Sequence, residues 1–121
     1  MTMPIINYKA TGMELDQELQ TLLEAKFTSL EKYIGDETDV KCEVEFRKSA
    51  PQQNGKICAV EANIWLKGTM YRAEAAEDQF EKAIDEVREE LDKELRRASK
   101  KSQSLIKRGG RKLKEMMRFG A

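Results

Sequence analysis

The chain has 121 residues, with 22 Lys+Arg against 22 Asp+Glu and no histidine, which is the length of one ordinary domain rather than two. Apolar residues at 40% and charged residues at 36% supply a small core and argue against global disorder. Without histidine there is no imidazole base and no His-containing zinc site, and two cysteines are too few for a four-thiolate cage. No stretch approaches the roughly 20 apolar residues of a membrane span, and the opening MTMPIINYKAT has neither a basic start nor an apolar run of the export type. The cytoplasm is the expected location.

In chain order, Pro4 to Lys9 reads as a short strand ended by a turn at Thr11-Gly12. Thr11-Gly-Met-Glu14 has the spacing of a capping box, which places a helix start there. Leu15, Leu19, Leu22, Leu23, Phe27, Leu30, Tyr33 and Ile34 recur at helical spacing and give that helix one apolar stripe, with Gly35 just past its end. Val40, Cys42, Val44 and Phe46 then alternate with charged residues, the period-two pattern of a half-buried strand. Ser49 to Gly55 reads as a loop, and Val60, Ala62, Ile64 and Leu66 alternate in a second strand, making a hairpin. After a tight connection at Lys67-Gly68-Thr69, Met70 to Glu77 forms the last strand.

Asp78 and Glu81 repeat the capping spacing, and Phe80, Ala83, Ile84, Val87, Leu91, Leu95 and Ala98 form the stripe of a second helix running to about Lys101. The order β-α-β-β-β-α predicts an α+β two-layer sandwich, a four-stranded sheet carrying two helices on one face. Residues 1–102 are expected to form this body, and residues 103–121 a flexible basic arm hinged at Gly109-Gly110.

The neutral total conceals an uneven distribution. Residues 1–95 hold 12 basic and 21 acidic side chains, a net of −9, whereas residues 96–121 hold 10 basic and one acidic, a net of +9. Clustered cations of this kind displace condensed counterions from a phosphate backbone. On a helical wheel Lys93, Arg96, Arg97, Lys100 and Lys101 span about 140° of arc, away from the stripe of Val87, Leu91, Leu95 and Ala98. Part of that clustering complements the negative end of the helix dipole. Lys26 is the odd residue of the first helix, falling between Leu22 and Phe27 on the apolar side. Either its stem snorkels toward a groove beside the second helix, or it is a functional cation at the seam.

Cys42 and Cys58 are not expected to bond: a hairpin turning about residue 52 leaves them out of register, and both read as small buried hydrophobes in a reducing compartment. Trp65 and Tyr71 offer rings for stacking on bases, although lone aromatics on sheets more often pack against neighbours. No phosphate loop, nucleophile elbow or carboxylate pair stands out. The reading is therefore of a protein that is not an enzyme and takes no cofactor, metal or small-molecule substrate. Ile106, Leu113 and Met117 between Lys107, Arg108, Arg111, Lys112, Lys114 and Arg118 allow a basic amphipathic helix, and composition alone leaves RNA, an anionic membrane and a partner groove open as its target.

The segments Glu24-Ala-Lys-Phe-Thr-Ser-Leu-Glu-Lys-Tyr33 and Lys82-Ala-Ile-Asp-Glu-Val-Arg-Glu-Glu-Leu-Asp-Lys-Glu-Leu-Arg-Arg97, at these places in this element order, resemble the ribosome hibernation-promoting factor and ribosome-associated translation inhibitor family over about residues 4–101. The resemblance implies a double-stranded-RNA-binding-like fold whose first two strands pair in parallel. It also implies a partner, the small ribosomal subunit and its rRNA, bound in the channel used by mRNA and by A-site and P-site tRNA, with translation blocked in resting or stressed cells. The family's rRNA-contacting cations match Lys26, Lys32, Lys93, Arg97 and Lys101, to which Arg96, Lys100 and the arm residues Lys107, Arg108, Arg111, Lys112 and Lys114 are added. Two departures stand out. Ser29 and Glu90 occupy places where related sequences carry lysine, and Gln79-Phe80 includes one extra residue. The length matches the short form of the family, without the second domain that pairs ribosomes, and the free protein is expected to be a monomer.

Overall fold

The computed structural model describes residues 5–35, 37–49 and 55–107, with side chains as far as Lys100. Strict alternation makes the sheet. In β2 (Val40–Lys48) and β3 (Cys58–Leu66) every second residue is buried, so that Cys42, Val44, Phe46, Val60, Ala62, Ile64 and Leu66 all point to one face. β1 (Ile6–Thr11) pairs in parallel with β2, while β2 with β3 and β3 with β4 (Thr69–Glu77) are antiparallel, giving the order β1-β2-β3-β4. A parallel pair needs a crossover, and the helical segment between β1 and β2 supplies it. That segment is α1 (Gln17–Phe27), a 3-10 turn (Thr28–Leu30) and the single turn α2 (Glu31–Ile34). The last helix, α3 (Phe80–Lys107), packs on the same face, and Leu23, Phe27, Leu30, Ala83, Ile84, Val87, Leu91 and Leu95 join the strand residues in one core. The α+β sandwich read from the periodicities is the observed fold.

Three boundaries differ from the sequence reading, each for a local reason. The first helix starts at Gln17, because Thr11 belongs to β1, where its hydroxyl donates to Glu45 Oε2 at 2.7 Å. Asp16 is the cap instead, its Oδ1 accepting from Glu18 N at 2.9 Å; Leu15 is left outside and exposed. The β2–β3 hairpin is centred one residue later than expected, with Cys42 opposite Ile64 and Cys58 opposite Lys48. The two thiols are accordingly free. The third difference is at the end of α3, which runs six residues beyond Lys101 to Lys107. Nothing in its sequence breaks a helix before Gly109-Gly110. The arm cations Arg108, Arg111, Lys112 and Lys114 lie outside the described residues.

Two connections depend on left-handed backbone. Lys67 (φ 52°) and Gly68 (φ 78°) form the two-residue β3–β4 loop, and positive φ at both positions matches the strand twist. Gly12 (φ 73°) follows β1 directly, and a Cβ there would collide with the carbonyl oxygen of Lys48. Replacing Gly12 with alanine is expected to destabilise the fold by about 2–4 kcal/mol, from the left-handed penalty plus the displaced β2 end, measurable as a lowered urea midpoint at unchanged m-value.

Candidate nucleic-acid interface

α3 carries the site and is electrically divided along its length. Its first three turns present Glu81, Glu86, Glu89 and Glu90, beside Lys82, to solvent, and the turns that follow present Lys93, Arg96, Arg97 and Lys100. Both sets lie outside the buried stripe of Ala83, Ile84, Val87, Leu91 and Leu95, which anchors the helix on the sheet. The cations can therefore meet a polyanion with no cost in core packing. Lys101 continues the same helix.

The acidic half is crowded. Burial raises the Glu86 carboxyl first, and a hydrogen bond and repulsion from Glu77 raise it further against the opposing charge of Lys56. Excess negative charge here disfavours phosphate, whereas the Lys93–Lys100 end favours it.

Lys26 belongs to the wrong end for that encounter. Its Nζ lies 2.7 Å from Asp85 Oδ1 and 3.9 Å from Glu81 Oε1, with a quarter of the side chain exposed. Its stem reaches across the α1–α3 seam to carboxylates of the acidic half, a placement that fits both readings of this residue. Asp85 and Arg97 are twelve residues apart, which is about 18 Å along a helix, so Lys26 is not brought into the α3 cluster. Ser29, one turn on, is exposed and donates to the Lys26 carbonyl at 3.2 Å.

Lys32 stands closer. It is exposed on α2, its Nζ 5.2 Å from the ring centroid of Tyr33, and Tyr33 joins α2 to α3 by donating to Asp92 Oδ1 at 2.9 Å. Burial first, then the Asp92 hydrogen bond and charge, raise the Tyr33 hydroxyl pKa, while Arg96 pulls it down. Arg96 and Lys32 thus share the neighbourhood of Tyr33, and α2 contributes its cation to the basic end. The Tyr33–Asp92 clamp is a pairing that no local sequence signal announces, since its partners are 59 residues apart.

Other chemistry is poorly supplied. Burial, and secondarily the Glu43 charge, push the Cys42 thiol up to about 12, so it stays protonated and unreactive at neutral pH. Among the described residues no group of His, Cys, Asp or Glu side chains is placed to hold a metal ion. On the open face of the sheet three cations are engaged, Arg47 with Glu74 at 3.0 Å, Arg72 with Glu61 at 2.8 Å, and Lys41 above the Trp65 ring at 5.9 Å from its centroid; Lys9 borders a hollow shared with Glu43, Glu45 and Glu61. Trp65 and Tyr71 lie on opposite faces, as their registered partners Met70 and Ile64 require.

With the helix pair, the sheet order and the basic end in place, the family can be assigned. The family model described as Sigma 54 modulation protein / S30EA ribosomal protein matches residues 6–103. The chain belongs to this family. Two solved structures share its fold. One is a ribosomal subunit interface protein from Coxiella burnetii, at 20% identity over 78% of this chain and 96% of that one, with a TM-score of 0.62. The other is the N-terminal domain of Thermus thermophilus Protein Y, at 19% identity over 80% of this chain and 98% of that one, with a TM-score of 0.64. No curated protein matches the chain at a significant level. The family assignment agrees with the resemblance carried by the two helical segments, and the parallel pairing of the first two strands that it implied is present.

Proposed function

We propose that the protein is a noncatalytic, cytoplasmic ribosome-binding inhibitor of translation, which occupies the mRNA and A/P-site tRNA channel of the small subunit and protects idle ribosomes. The observation that carries this reading is the exposed set Lys93, Arg96, Arg97 and Lys100, fixed on the solvent side of a helix whose other side is core. Family membership and the fold shared with a ribosomal subunit interface protein support the choice of the ribosome as the polyanion. Lys32 extends the cationic surface, and Lys101, Lys107, Arg108, Arg111, Lys112 and Lys114 add positive charge along the sequence that follows. Lys26 contributes to RNA contact only if a phosphate displaces Asp85. The mechanism is steric: the body fills a space that mRNA and tRNA require, positioned by phosphate contacts that carry no sequence information. The acidic first half of α3 fixes orientation by repulsion.

Sedimentation with purified subunits tests the reading. The protein should travel with small subunits at low salt, be released as salt rises, and ignore large subunits. Equal binding to any RNA identifies a generic RNA-binding module instead, and cosedimentation with anionic vesicles identifies an adaptor that works through the basic arm.

A further inference from the structure

At the basic end of α3 a cavity of about 300 Å³ lies where four elements meet, with Tyr33 of α2, Leu66 of β3, Tyr71 of β4 and Leu95 and Ala98 of α3 as its apolar walls. Lys67 and Ser99 supply its polar edge. The volume is at the lower end of the range for ligand sites, and the mixture of apolar wall and few polar groups is typical of them. One wall is fixed: the Tyr33 ring is held through its hydroxyl by Asp92 at 2.9 Å. Tight-turn geometry holds Lys67 at φ 52°. Arg96 and Lys100 are exposed, and each is one residue from a lining residue of α3. An aromatic, apolar hole bordered by cations suits a planar ring joined to phosphates, which describes an unstacked nucleotide of a single-stranded RNA segment. The open face of the sheet is less suited: Arg47 and Arg72 are bound to carboxylates, Lys41 lies over Trp65, and Lys9 shares a hollow with Glu43, Glu45 and Glu61.

We propose that this cavity receives one unstacked base of rRNA, with the base face against Tyr71 and the flanking phosphates at Lys67, Arg96 and Lys100. The proposal rests on the RNA-binding reading above and adds to it a contact that phosphate pairing does not supply. Stacking on one aromatic is worth roughly 5- to 150-fold in affinity and is independent of salt, whereas the surrounding cations set the salt slope.

The test uses the full chain and two probes: purified small ribosomal subunits, and a short single-stranded RNA carrying one 2-aminopurine. The wild type and Tyr71→Phe, which keeps the ring, should change the 2-aminopurine fluorescence equally. Tyr71→Ala should abolish that change and weaken subunit binding about 5- to 150-fold at an unaltered salt slope. Should Tyr71→Ala melt early, Ser99→Met narrows the cavity from α3 without touching the sheet and should have the same effect. A folded variant of either kind with wild-type affinity and wild-type fluorescence response overturns the proposal. The ribosome reading fails separately: a wild type that alters the RNA probe but ignores subunits overturns that reading and leaves the cavity assignment standing. A wild type that binds subunits, gives no fluorescence change and is indifferent to Tyr71→Ala overturns the cavity assignment alone, and failure with both probes overturns both.

Discussion

Replacing Lys93, Arg97 and Lys101 together by glutamate is expected to abolish inhibition of in vitro translation, with affinity for the small subunit falling roughly 10³-fold or more. Each charge-assisted hydrogen bond to phosphate is worth about 1.5–3 kcal/mol, and reversal replaces three attractions by three repulsions. Lys93 and Arg97 are exposed opposite a fully buried stripe, so the core is untouched. The fold still bears a cost, because a glutamate in place of Lys93 would stand one turn from Glu89 and Glu90, where like charges repel. A triple variant with a far-UV CD spectrum like the wild type's, a melting temperature lower by several degrees and no inhibitory activity is the expected result. The corresponding glutamine variant should melt closer to wild type and bind with intermediate affinity. Full inhibition by the folded glutamate variant would remove α3 from the interface.

The second large effect is expected from deleting residues 108–121, which leaves α3 entire as far as Lys107. The deleted segment holds five basic residues, Arg108, Arg111, Lys112, Lys114 and Arg118, against Glu115, a net of +4. If these cations reach phosphates, the plot of log affinity against log salt should flatten by as much as about 3 or 4. Affinity at any one salt concentration should change less than the charges suggest, because ordering a segment costs roughly 1–2 kcal/mol per residue in backbone entropy. The body should bind at the same place, since its own cations are unchanged. An identical affinity and slope for the truncated chain would show the arm to be a passive tail.

What the sequence discloses and what it conceals divides along the range of the interactions. Alternation in Val40–Lys48 and Cys58–Leu66, the apolar stripe of α3, and the arc of Lys93, Arg96, Arg97 and Lys100 are repeats within single elements, and each is visible from its period. The start of the first helix is ambiguous in the sequence because Thr11 has two uses open to it, a cap or a strand end, and only the pairing of β1 with β2 decides between them. Asp16, two residues before Glu18, is an equally good cap signal. Lys26 stands out locally as a cation on an apolar stripe, but its tie to Asp85 depends on how α1 meets α3. The same holds for the Tyr33–Asp92 clamp and for the cavity beside it, whose walls come from α2, β3, β4 and α3. Helical wheels place residues on faces; they do not say which faces meet.

The central claim is that the body sits in the mRNA and tRNA channel of the small subunit with the basic end of α3 against rRNA, and the most direct measurement is a reconstruction of the complex by electron cryomicroscopy. The account predicts density for the α+β body across the A and P sites, with Lys93, Arg96, Arg97 and Lys100 facing rRNA phosphates and the Glu81–Glu90 half of α3 turned away. A body bound elsewhere on the subunit, or bound in the channel through the open face of its sheet, would contradict it.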